Sequence, residues 1–75
     1  MPGARMSYKE AVDLAVNYCE GLRGKGASSF IPRNMCIATG IKETAVSNVL
    51  LGVNRVRVDN VVLCSVDSLL KKYGR

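Results

Sequence analysis

Histidine is absent from this chain of 75 residues, and so are paired carboxylates at a catalytic spacing. Without them or a metal-binding set, nothing is arranged for an enzyme's acid–base or nucleophilic work, and no cofactor is expected. The three cysteines, Cys19, Cys36 and Cys64, stand far apart with no CxxC pair. A zinc site needs four ligands at recognisable spacing, and these are missing. Each cysteine instead falls in an apolar helical pattern and reads as a small core residue in a reducing compartment. No run of about 18 apolar residues occurs, so no transmembrane helix and no membrane partner are expected. The amino end, Met1 to Met6, lacks an apolar h-region, which argues against a secretory signal. The order GxxxxGK[ST] is also missing, so the run Arg23-Gly24-Lys25-Gly26 is no phosphate loop. These absences together predict a cytosolic, non-enzymatic protein.

What is present suits one small domain: 48% hydrophobic residues, too apolar for a disordered tail, and 23% charged. The formal net charge of +5 is unevenly placed. Between residues 21 and 57 stand Arg23, Lys25, Arg33, Lys42, Arg55 and Arg57, against the single acid Glu43. In the two flanks the charges cancel. A basic middle of this kind is what a phosphate-facing surface requires.

Residues 1–6 read as a loose arm whose Arg5 has the reach to touch a groove or phosphate, though a frayed terminus is the better account. Ser7-Tyr8-Lys9-Glu10 is a capping box opening a first helix. Its apolar face is Ala11, Val12, Ala15, Val16, Cys19 and Leu22, and it should stop near Arg23 or Gly24. Arg23 and Lys25 either complement that helix's dipole or meet a phosphate. Ser28 and Ser29 are candidate caps for the next helix, with Pro32 in its first turn and Phe30 and Ile31 sealing the loop onto the core.

The centre of the chain is residues 32–52, PRNMCIATGIKETAVSNVLLG. It reads as two short helices, about 32–39 and 42–51, meeting at a turn on Gly40 and Ile41. Met35, Cys36, Val46, Val49 and Leu50 fall on the packed side, while Glu43, Thr44, Ser47 and Asn48 are short polar groups left outside. A helix-turn-helix that reads DNA needs this division. Residues 53–58, VNRVRV, alternate like a strand but have no evident partner. They read as an extended connection with Val56 inside and Arg55 and Arg57 outside. A closing helix is expected over 58–73, with Leu63 and Leu70 as a second apolar stripe and possible dimer surface. The predicted fold is therefore all-α, a compact bundle of about four helices.

Residues 37–52, IATGIKETAVSNVLLG, resemble the helix-turn-helix of the lactose-repressor family. There Ala-Gly-Val, a few polar residues and then Thr-Val-Ser-x-Val-Leu-x-Gly are typical. Gly40, Ile41, Val46, Ser47, Val49, Leu50 and Gly52 match, Ala45 replaces the threonine, Thr39 replaces the alanine before the glycine, and Ile37 stands where the family is polar. The wider layout is similar to lambda-repressor and Cro-like domains. The resemblance implies base reading by Glu43, Thr44 and Asn48, since carboxylate can accept from cytosine N4, threonine can meet a thymine methyl, and asparagine can pair with adenine. It implies phosphate contacts from Arg33, Lys42, Ser47, Arg55 and Arg57.

The working form implied is a homodimer on a palindromic operator in double-stranded DNA, its recognition helices about 34 Å apart. The chain ends at Arg75 without the family's sugar-binding domain, so no small-molecule effector is implied and a small phage- or plasmid-type repressor is expected. Two alternatives stand beside this: a helical protein-interaction module using Ile37, Leu63 and Leu70, and an architectural or excisionase-like accessory protein that bends DNA.

Overall fold

The computed structural model describes residues 6–75, so the amino-terminal arm with Arg5 lies outside the described residues. Four helices and three short strands follow one another: α1 (Tyr8–Gly24), β1 (Ser29–Phe30), α2 (Pro32–Thr39), α3 (Glu43–Val49), β2 (Arg55–Val58), β3 (Val61–Ser65) and α4 (Val66–Lys72). The strands form one antiparallel sheet in the order β1-β3-β2. No helix among the described residues is long and apolar enough to cross a membrane.

The expected capping box starts α1: Ser7 Oγ accepts from the Glu10 amide at 3.1 Å, and the Ser7 amide donates to Glu10 Oε1 at 3.4 Å. The buried face of α1 is Ala11, Ala15, Val16 and Cys19. Small side chains there let the other helices approach closely, and Met35, Val49, Leu69 and Leu70 fill the space between. Tyr18 meets Phe30 edge to face with ring centroids 6.2 Å apart, which ties α1 to the start of the sheet. Ser28 and Ser29 do not cap α2. Its N-cap is Ile31, without a side-chain bond, and Ser29 is spent in β1 opposite Ser65.

The all-α expectation is corrected by the sheet. Residues 55–58 do have a partner, and it is the segment assigned by pattern to the closing helix. Val56 pairs with Leu63, Arg57 with Val62 and Val58 with Val61. Asp59 and Asn60, at φ 51° and 66°, form the two-residue turn between them. Both residues tolerate positive φ, and two such residues in succession give the twist that an antiparallel hairpin needs. Val56 is consequently not tucked in but 61% exposed.

The last helix begins only at Val66, with Ser65 Oγ accepting from the Ser68 amide at 3.1 Å. Leu63 and Leu70 therefore share no helical stripe. Leu63 is half-buried in β3, and Leu70 is fully buried in the core with Leu69. The pair is not a dimer surface, because one of its members is consumed by the chain's own core. α4 is pinned to the sheet: the Val66 amide donates to the Ser28 carbonyl at 3.0 Å, and Ser68 Oγ accepts from the Asn54 amide at 2.9 Å.

Candidate nucleic-acid interface

α2 and α3 meet at Gly40, whose φ of 82° is left-handed backbone that glycine adopts without strain. The turn is closed by Thr39. Its Oγ1 donates to the Met35 carbonyl at 2.6 Å and accepts from the Ile41 amide at 3.2 Å. A hydroxyl bridging the last turn of α2 to the first residue beyond the glycine holds the angle between the helices, a part an alanine could not play. Ile41 then buries its side chain under the turn.

That angle sets which way α3 faces. Val49 and Leu50 are buried and Ala45 and Val46 half-buried, while Glu43, Thr44, Ser47 and Asn48 are exposed. Positions 43, 44, 47 and 48 recur at three and four, so all four short polar side chains stand on one helical face. Lys42 is exposed at the N-cap of the same helix and makes no side-chain cap bond.

The carboxyl end of α3 is held from below. Tyr73 Oη donates to the Val49 carbonyl at 2.5 Å and lies 3.3 Å from Tyr8 Oη. Lys72 Nζ donates to the Leu51 carbonyl and, at 3.4 Å, to the Val49 carbonyl. Arg55 donates to the Leu50 carbonyl at 3.3 Å. Helix ends leave carbonyls without intrahelical partners, and here three side chains from α4 and β2 supply them. Burial, with the Tyr8 hydroxyl beside it, pushes the Tyr73 phenol well above its ordinary value. The phenol therefore keeps its proton and remains a donor.

Of the expected phosphate contacts, the structure gathers Arg33, Ser47 and Arg55 around one groove of about 320 Å³ between the start of α2, the outer side of α3 and the hairpin. Arg57 lies two residues beyond Arg55 on the same strand, so it alternates to the same face, nearer the hairpin turn. Among the described residues the ion pair found is Lys9–Asp13, in the first turns of α1. Arg33, Lys42 and Arg57 have no acid within bonding distance there. The hairpin itself was missed by pattern reading; its available signal was Asp59-Asn60 between two valine-rich runs.

Ile37 is 75% exposed on α2, at the position where polarity was expected. The three cysteines are buried and unpaired. Burial, with Cys64 nearby, pushes the Cys19 thiol up to about 12, and burial also raises Cys36, with Glu43 adding to it. These are inert thiols rather than nucleophiles.

The class defined by these elements is a small mixed domain, mostly helical, carrying a helical hairpin and an adjoining β-hairpin. Comparison with protein-family models, curated proteins and solved structures returned no match.

Proposed function

We propose that this protein is a sequence-specific DNA-binding regulator in which α3 enters the major groove. The observation that carries the reading is the face of α3: only short polar side chains, Glu43, Thr44, Ser47 and Asn48, project from a helix whose other side is packed. Short groups on a rigid helix reach base edges at little entropic cost. Lys42, Arg33 and Arg57 flank that face without internal acid partners, which suits phosphates on both sides of the groove. Arg55 has the Leu50 carbonyl as a partner already, so its share in phosphate binding is smaller than that of Arg57. In this reading the β-hairpin serves as a wing beside α3, with Arg57 near its tip. In the fullest form of this reading, a homodimer acts in the cytosol on a palindromic operator and represses by covering a promoter, as a phage- or plasmid-type regulator does.

The test is selection of bound duplexes from a random pool, followed by titration of the winner at several salt concentrations. Enrichment of a palindrome with half-sites one helical turn apart, bound more weakly as salt rises, is the expected result. A pool that remains random removes base reading. Binding to DNA that does not weaken with salt removes phosphate contact. The competing reading, a protein-interaction module, draws on the exposure of Ile37 and of the hairpin valines, and it predicts salt-insensitive binding to a protein.

A further inference from the structure

Three helix ends meet at one point. Tyr8 is the first residue of α1, Tyr73 is the C-cap of α4, and Val49 is the last residue of α3. Tyr73 Oη lies 2.5 Å from the Val49 carbonyl oxygen and 3.3 Å from Tyr8 Oη. A carbonyl can only accept, and a phenol has a single proton to give. The Tyr73 proton is therefore spent on Val49, and the other bond must run from the Tyr8 hydroxyl to the Tyr73 oxygen. The result is a directed relay, Tyr8 to Tyr73 to Val49, in which each bond polarises the next. Both tyrosines stand on fixed backbone. The capping box of Ser7 and Glu10 sets the start of α1 under Tyr8. The Tyr73 amide donates to the Leu69 and Leu70 carbonyls at 3.3 and 3.2 Å, and both leucines are fully buried.

We infer that Tyr73, backed by Tyr8, is a positioning residue for Asn48, setting the direction in which α3 presents that side chain. This rests on the DNA reading above for what Asn48 does; the hold on the helix end does not. α3 has seven residues, well short of the ~12 that a helix needs to persist alone. Its direction is consequently set by what holds its two ends. The amino end, with Glu43 and Thr44, is held by the Thr39 hydroxyl across the turn to Ile41. The carboxyl end is held at Val49, the neighbour of Asn48. Polar recognition tolerates a misplacement of only about 0.5 Å, so a loose carboxyl end blurs what Asn48 reads and spares the other end. Lys72 Nζ also reaches Val49, at 3.4 Å, but through a long flexible side chain that serves Leu51 as well. The rigid phenol ring fixes a direction that a lysine cannot.

Two measurements on Tyr73→Phe and Tyr8→Phe test this. Phenylalanine keeps the ring and removes the hydroxyl, and Tyr8 is 55% exposed, so its variant folds as before. Residual dipolar couplings of the DNA-free protein report the angle of α3 against α1. In Tyr73→Phe the couplings of residues 46–50 should shift or shrink while those of α1 keep their original fit. On the duplex selected from a random pool, discrimination at the base identified by Asn48→Ala should fall about threefold to tenfold. Discrimination at the bases read by Glu43 and Thr44, and affinity for random duplex, should hold. Tyr8→Phe leaves the bond to Val49 in place and should give the same changes at smaller size. Unchanged couplings in Tyr73→Phe overturn the positioning role while DNA binding stands. Losses spread evenly over all bases and random duplex overturn it too, since they mark a general loss of stability. A Tyr8→Phe effect larger than that of Tyr73→Phe overturns the direction of the relay. A pool that selects no sequence removes the DNA reading and, with it, the role of Asn48, whatever the couplings show.

Discussion

Asn48 and Arg57 occupy the same proposed surface but can distinguish different things. An asparagine amide can pair with two atoms of adenine, whereas a guanidinium on a phosphate meets the same oxygens whatever the base. Asn48→Ala should therefore relax preference at one base position by about 1–3 kcal/mol. Arg57→Ala should weaken binding to all sequences alike, and competition assays with operator variants and random duplex separate the two. Equal losses on specific and random DNA for both substitutions would remove the base-reading role. Cys19 supplies a prediction about the fold itself. Its thiol moves from an ordinary 9.0 to about 12 because the charged form has no solvent in the core. Above pH 9 the unfolded chain releases this proton and the folded one holds it, so the unfolded state gains. Stability is full below pH 9 and falls as pH rises toward about 12. Urea unfolding at stepped pH should show the decline, shallower in Cys19→Ala.

The turn between α2 and α3 is the element on which the orientation of α3 depends. At Gly40 no atom lies within 4 Å of the place a β-carbon would take. Gly40→Ala thus costs only the backbone strain of positive φ, about 1 kcal/mol, and Gly40→Asn less. Thr39→Val keeps the shape but removes both hydroxyl bonds, with an expected loss of about 1–2 kcal/mol. Denaturant midpoints check both. This hairpin of helices was legible in the sequence because its signals agree: proline in the first turn, glycine at the turn and apolar positions at helical spacing. The second half was not. Val61-Val62-Leu63-Cys64 is a short apolar run that fits a helix or a strand equally by period, and only partner and turn decide. With no partner evident for 53–58, the run reads by period alone as the start of the following helix. Asp59-Asn60 carried the missing information, since two residues content at positive φ between valine-rich segments mark a hairpin. Leu70 followed the same error, for a helix starting too early misplaces which of its sides is buried.

Across the whole molecule, a count of charges overstates what is free to meet DNA. The carbonyls at the end of α3 are capped by Tyr73, Lys72 and Arg55, so two of the cations near that helix have internal work. Lys42, by contrast, is exposed at the other end of α3 with no side-chain cap bond. Counterion release scales with phosphates neutralised, at a slope of about −0.9 per contact in log affinity against log salt. If Arg33, Lys42 and Arg57 are the contacts, one copy on a half-site should show a slope of about −3, and two copies on a palindrome about twice that. Lys42→Met and Lys72→Met then remove equal charge with different results. Lys42→Met should flatten the slope by about 1 and leave the urea midpoint near its original value. Lys72→Met should leave the slope nearly unchanged and lower the midpoint, because carbonyls at the end of α3 lose a donor, at a cost of about 1–3 kcal/mol. A steep loss of salt dependence in Lys72→Met with an unchanged midpoint would show the lysine facing phosphate. In that event the helix end must be held by Tyr73 and Arg55 alone.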